Sequence, residues 1–139
     1  MYLVPWLAIL AGVALGGSGP AATIVNSGST NMPGFRISVE RSGSATHTTM
    51  ARGSQPAKTR NAKIPAALLQ RFFADLEGAR PLSELPAPRC MKSASFGTTL
   101  TVEFAGQSTP DLSCGDGGNA KLQALIQDSG EIGKLFDSQ

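Results

Sequence analysis

The chain has 139 residues, a formal net charge of +2, two cysteines and one histidine, enough sequence for one domain. Its basic residues are too thinly spread for the dense patches of nucleic-acid-binding proteins, and its Cys and His content falls short of the usual zinc ligand set. The sequence therefore predicts no nucleic-acid partner and no cofactor.

The N-terminus has the layout of a secretory signal peptide. An apolar run from Tyr2 to Leu15 is followed by small residues, which predicts a signal at residues 1–22, cut near Ala21 or Ala22. The run is shorter than the ~20 residues that span a bilayer. We expect a secreted or periplasmic protein with no stable membrane span after cleavage; an uncleaved N-terminal anchor is the alternative.

Residues 23–33 are rich in turn-forming residues and predict a flexible lead-in to a single domain covering residues 34–139. In that domain Phe35, Ile37 and Val39 alternate with polar residues, which is the pattern of a half-buried strand.

A turn at Ser42-Gly43-Ser44 and a threonine-rich segment at residues 45–50 predict that the chain returns as a second strand and forms a hairpin. The basic stretch that follows, residues 52–63, predicts a solvated loop, with a contact to an anionic surface as the alternative.

A helix is predicted after Pro65, because proline fits the first helical turn and Phe72 and Leu76 recur at helical spacing. Gly78 is expected to end it, and the proline-rich segment that follows leads away from it.

A second hairpin is predicted around Leu100, Val102 and Phe104, which alternate with polar residues. Residues 108–114 are expected to return as an edge strand with Leu112 inward, since proline within this segment removes a backbone donor.

A final helix is predicted to begin at Asn119, a common capping residue, and Gly130 marks a point at which it can break. The order hairpin, helix, hairpin, helix makes two ββα units. The predicted fold class is α+β, with a four-stranded antiparallel sheet, helices on one face and one disulfide.

The disulfide is predicted between Cys90 and Cys114, which flank the second hairpin. Export implies an oxidising compartment, and two cysteines with none left over pair most simply with each other. A redox or zinc site usually has more closely spaced cysteines or additional histidines. Closing a loop of this size stabilises a fold by about 3.5 kcal/mol in the chain-entropy model.

No catalytic motif is present, so the chain is predicted not to be an enzyme; an unrecognised enzyme is the remaining alternative. His47, the only histidine, lies in a threonine-rich strand and is interpreted as a surface residue. Glu40 and Glu103 lie on polar strand faces and are interpreted as surface acids rather than a catalytic pair.

Asp111, Asp116 and Asn119 offer oxygen ligands near a glycine-rich turn, and Ca²⁺ prefers such ligands. The spacing is not that of an EF-hand, and a turn and a helix cap explain the same residues. Ion binding by these three residues is left open.

Arg36, Arg41, Ser42 and Gly43 match the Arg-x-x-x-x-Arg-Ser-Gly strand end of the emfourin type of small bacterial metallopeptidase inhibitors, which the chain resembles. In that family Gly-Phe follows, and here it does not. The resemblance implies a partner contact through Arg41, Ser42, Gly43 and Ser44.

The blocks "NSGSTNMPGFRI" and "CMKSASFGTTLTVEFAGQSTPDLSCGDGG" are also similar to secreted bacterial proteins of no assigned function, which implies no activity. We therefore expect a small exported, non-enzymatic, protein-binding or protease-inhibitor-like module whose partner is a protein, for example a peptidase. A structural or assembly component of the cell envelope is the alternative.

Overall fold

The computed structural model describes residues 21–138, which form six strands and two α-helices. The strands are β1 (Ala22–Asn26), β2 (Phe35–Val39), β3 (Ser44–Thr49), β4 (Lys58–Lys63), β5 (Leu100–Phe104) and β6 (Gln107–Ser108). The helices are α1 (Ala66–Gly78) and α2 (Ala120–Lys134), and short 3₁₀ turns lie at Leu82–Glu84 and Leu112–Cys114. The predicted signal peptide lies largely outside the described residues.

The strands form one antiparallel sheet in the order β4-β3-β2-β1-β5-β6. Ile24 of β1 pairs with Ile37 of β2 on one side and Val102 of β5 on the other. The predicted α+β class, antiparallel sheet and disulfide are confirmed, but the prediction of four strands is wrong because the sheet has six.

The first additional strand, β1, lies inside the segment expected to be a flexible lead-in. Ala22 and Ile24 are buried, and the β-branched residues from Thr23 to Val25 favour an extended backbone. The segment gives no apolar–polar alternation, because Val25 lies on the face opposite Ile24 and a turn-rich loop follows directly. The predicted cleavage site near Ala21 or Ala22 falls at the first residue of this central strand.

The second additional strand, β4, is the basic segment expected to be a solvated loop. All six of its residues pair with β3, and it forms one edge of the sheet. Exposed lysines at Lys58 and Lys63 carry charge along this edge, a feature that opposes edge-to-edge aggregation. Because an edge strand of this kind has little apolar alternation, its sequence resembles that of a loop.

The return strand of the second hairpin is shorter than predicted. β6 ends at Ser108, and the chain then enters the 3₁₀ turn in which Leu112 is buried, as expected. Gly130 does not break the last helix, since α2 is continuous to Lys134.

The core lies between one face of the sheet and both helices. Phe73 of α1 packs against Phe104 of β5 with ring centroids 6.1 Å apart. Asn119 caps α2 as predicted, because its Oδ1 accepts a hydrogen bond from the Leu122 N–H at 3.0 Å. Within residues 21–138, no helix has the length and apolar character that a bilayer crossing requires.

Candidate functional site

Three large apolar side chains are well exposed in the described part of the chain: Met32, Met91 and Phe96. The Met91 side chain is fully exposed to solvent, and Phe96 is 63% exposed. We call these three residues the apolar loop surface. Contiguous exposed apolar groups on a small protein are characteristic of binding sites.

The three residues lie on two loops that hydrogen bonds join. Met32 belongs to the β1–β2 loop, residues 27–34, while Met91 and Phe96 belong to the segment that leads into β5. The Asn31 N–H donates to the Ser95 carbonyl at 2.9 Å, and the Ser29 hydroxyl donates to the same carbonyl at 2.7 Å. The apolar loop surface is therefore one region at one end of the sheet.

The β1–β2 loop is closely packed on its own backbone. A Cβ added at Gly28, where φ is +65°, would lie 2.5 Å from the Gly34 nitrogen. Ser27 fastens the loop to the start of β5, since its N–H donates to the Thr99 carbonyl at 3.0 Å. Its hydroxyl in turn accepts from the Thr99 N–H at 2.9 Å. These contacts fix the loop backbone that carries Met32.

The loop that carries Met91 and Phe96 begins at the disulfide between Cys90 and Cys114, as predicted. Both apolar residues line an open groove of about 510 Å³. The Gly97 N–H donates to the Ser93 carbonyl at 2.7 Å, and a Cβ at Gly97 would lie only 2.4 Å from that oxygen. The turn from 93 to 97 therefore requires glycine at its last position.

Lys92 holds the same loop to the 3₁₀ turn beside it. Its ammonium group forms a salt bridge with Asp111, donates to the Ser113 hydroxyl and donates to the Thr98 carbonyl at 2.6 Å. Asp111 also accepts from the Leu100 N–H at 2.9 Å. Burial would raise the pKa of Asp111, but these donors outweigh burial and lower that pKa to about 2.

The β3–β4 loop lies at the same end of the sheet, because Thr49 and Lys58 pair with each other and Thr49 also pairs with Phe35. The Met50 N–H donates to the Gly34 carbonyl at 2.9 Å, which links this loop to the β1–β2 loop. Arg52 and Lys58 are exposed here. Basic groups therefore flank the apolar loop surface on the β4 side.

The predicted partner contact, Arg41 to Ser44, forms the turn between β2 and β3 and the start of β3, at the opposite end of the sheet. The Arg41 guanidinium lies 4.1 Å from the Phe73 ring centroid and 3.5 Å from a carboxylate oxygen of Glu77. Gly43 is buried and its carbonyl accepts from the Ile64 N–H at 2.8 Å. Contact between this turn and a partner stays a prediction.

His47 is buried, so its interpretation as a surface histidine is wrong. Its ring stacks on the Phe35 ring with centroids 4.9 Å apart. The Phe136 ring is tilted relative to the His47 ring, with its centroid 5.2 Å away. Burial lowers the pKa of His47, and the nearby Arg60 guanidinium lowers it further. The threonines around His47 in the sequence gave no sign of the two aromatic rings that enclose it.

The other residues considered from sequence have partners within the protein. Asp116 accepts from the Gly118 N–H at 2.8 Å, as a turn residue does. Glu103 forms a salt bridge with Arg36 at 2.9 Å on the open face of the sheet. Among residues 21–138 there is no group of three or more His, Cys, Asp or Glu side chains placed to hold a metal ion.

No family model matches the chain, and no curated protein matches it. The resemblance to emfourin-type inhibitors and to secreted bacterial proteins therefore stays a prediction. The apolar loop surface was not predicted as a site. Its one sequence signal is the presence of Met91 and Phe96 in a segment of small and polar residues with no strand or helix periodicity.

Proposed function

We propose that the protein is a small exported, non-enzymatic binding domain that holds a protein partner through the apolar loop surface. One observation carries the proposal: Met32, Met91 and Phe96, the large apolar side chains that are well exposed in residues 21–138, lie on two loops that are hydrogen-bonded to each other. Aromatic residues and methionine are enriched in the buried centres of protein interfaces. The proposed location, secreted or periplasmic, is consistent with the disulfide.

The way these loops are held also supports binding. The disulfide, the Lys92 contacts and the tight turns at Gly28 and Gly97 fix the backbone before any partner arrives. A surface that is ordered in advance loses less conformational entropy on association than a flexible one. Rigid loops with exposed apolar side chains therefore suit tight binding by a domain of this size.

The partner that fits this surface has an apolar pocket with an acidic rim. The pocket would take Phe96 and Met91, and the acidic rim would face Arg52 and Lys58 on the flanking β3–β4 side. An exported peptidase with an apolar specificity pocket is one partner of this chemistry, in line with the inhibitor-like expectation from sequence.

The test is capture of exported proteins from the native host by the immobilised full-length protein and two variants. The double variant Met91→Ser/Phe96→Ser is expected to lose a specific partner, because it removes the apolar groups and leaves the disulfide and Lys92 in place. The control Ser42→Gln/Ser44→Gln alters the exposed turn at the opposite sheet end and is expected to retain it. If only the control variant lost the partner, the binding site would lie at that turn and the proposal would be wrong. Capture of bulk envelope material by every variant would favour the structural alternative.

A further inference from the structure

A cavity of about 290 Å³ lies between the sheet and the C-terminal half of α2, next to the strand ends from which the β1–β2 loop and the loop of Met91 and Phe96 extend. Its apolar lining includes Ile24, Phe35 and Leu100 from three strands or their ends. His47 and Ser129 also line it. An apolar pocket with a few convergent polar groups is the usual form of a small-molecule site.

Both polar groups are buried without a hydrogen-bond partner in the described part of the chain. His47 is 8% exposed and Ser129 is 3% exposed, and their Nδ1 and Oγ atoms are unpaired within residues 21–138. Buried polar atoms are nearly always paired, because leaving one unpaired costs folding free energy. Two such atoms on one cavity leave hydrogen-bonding capacity that an ordered water or a bound molecule can use.

Two glycines in the interior of α2 belong to the lining of the cavity. Gly130 and Gly133 both line it, and a Cβ added at either would meet nothing within 4 Å. No close backbone contact or positive φ therefore requires glycine there, although glycine destabilises a helix interior relative to alanine. Neither position adds a side chain to the lining.

We propose that this cavity binds a small uncharged aromatic molecule that bears one hydroxyl group, such as a phenol. This cavity is partly open to solvent, and its volume of about 290 Å³ exceeds the ~150 Å³ of an enclosed cavity that accepts benzene, so a substituted ring has room against Phe35 and His47. The ligand hydroxyl can pair with either of the two unpaired atoms, because a hydroxyl both donates and accepts. Lys134 and Asp137 on the lining have opposite charges.

This inference is independent of the proposed function, because it uses none of the residues of the apolar loop surface. The test is a chemical-shift titration of the ¹⁵N-labelled full chain with 4-methylphenol and with toluene, the same molecule without the hydroxyl. Saturable shifts are expected at Ser129, Gly130 and Gly133, and toluene is expected to bind about tenfold more weakly.

Three variants decide between a ligand site and a mere packing defect. Gly133→Leu fills the cavity and is expected to abolish binding, whereas Gly78→Leu is a matched control, exposed on α1 with nothing within 4 Å of its Cβ. Ser129→Ala is expected to weaken 4-methylphenol binding about tenfold while leaving the melting temperature equal or higher, because it removes an unpaired buried hydroxyl. Absence of saturable shifts, equal binding of toluene, or unchanged binding by Gly133→Leu would overturn the proposal.

Discussion

Lys92 forms a salt bridge with Asp111 across the base of the loop that carries Met91 and Phe96. The same ammonium group reaches the Thr98 carbonyl, so one side chain ties both ends of the loop to the 3₁₀ turn near Cys114. The disulfide reinforces this connection through a separate covalent link. Covalent and ionic contacts thus converge on the segment that presents the exposed apolar residues.

Replacing Asp111 by Asn should lower stability in a pH-dependent way. The pKa of Asp111 is lowered from 3.8 to about 2, so its contribution is present above about pH 4 and is lost as the pH falls towards 2. The difference in unfolding free energy between wild type and Asp111→Asn should shrink over that window. Urea denaturation at a series of pH values measures it, and a difference that stays constant down to pH 2 would contradict the assigned role.

Removing the disulfide should destabilise the fold without changing it. The double variant Cys90→Ser/Cys114→Ser frees a loop with a sequence separation of 24 residues, at an expected cost of about 3.5 kcal/mol. Thermal and urea unfolding monitored by circular dichroism provide the measurement. Two free thiols in the exported wild-type protein, found by alkylation and mass spectrometry, would show that the bond does not form.

Asp128 should make the protein less stable as the pH rises from about 4 to 6. Burial raises the pKa of this carboxyl from 3.8 to about 6, and Asp75 adds to the effect, while Arg71 at 2.7 Å opposes it. The folded state therefore holds the proton more tightly than the unfolded state within that window, and stability falls as the proton leaves.

Asp128→Asn should gain stability relative to wild type over the same window, because asparagine has no proton to release. The matched control is Glu131→Gln, which removes the exposed carboxylate that contacts the same Arg71. The side chain of Gln127 and then Arg71 lower the pKa of Glu131, so the control should show no gain between pH 4 and 6. Parallel behaviour of the two variants would show that Asp128 does not titrate as described.

Arg41 should matter for stability because it packs on the core. Arg41→Ala loses the contacts with Phe73 and Glu77 and is expected to cost about 1–2 kcal/mol. Arg36→Ala, which breaks a salt bridge on the exposed sheet face, should cost less than about 1 kcal/mol. Equal and negligible effects of the two changes would mean that Arg41 is a free surface residue, available for the predicted peptidase contact.

The exported protein should lack Tyr2 and Trp6 if residues 1–22 are a cleaved signal. All remaining aromatic residues are then phenylalanine and histidine, so absorbance at 280 nm should be nearly absent. Intact-mass analysis of exported material checks this directly. A mass that includes Met1 to Leu15 would support the uncleaved anchor instead.

Sequence periodicity predicted those elements that bury one face over several residues. β2, β5 and both helices have clear apolar alternation or helical spacing, as with Ile37 and Val39 or Phe72 and Leu76. β1 lacks that signal because Val25 places an apolar side chain on the face opposite Ile24, and β4 lacks it because it is a charged edge. Both strands are placed in the sheet by pairing with other strands, and a local sequence pattern does not predict such pairing.

The candidate site could be predicted only in part for a related reason. Cys90 and Cys114 were paired correctly from their number and compartment. The exposure of Met91 and Phe96 depends on where the loop meets Ser29 and Asn31, more than 60 residues earlier in the chain. Whether an apolar residue is exposed or buried depends on the fold, so residue type alone does not predict that Met91 and Phe96 are exposed.

The most direct measurement for the proposed interface is a hydrogen-exchange footprint of the full-length protein in complex with its captured partner. We predict slowed exchange at residues 27–34 and 90–99, with the turn at Arg41–Ser44 unchanged. The Met91→Ser/Phe96→Ser variant should show no slowing at equal partner concentration. Protection confined to Arg41–Ser44, with both loops exchanging as in the free protein, would contradict the central claim.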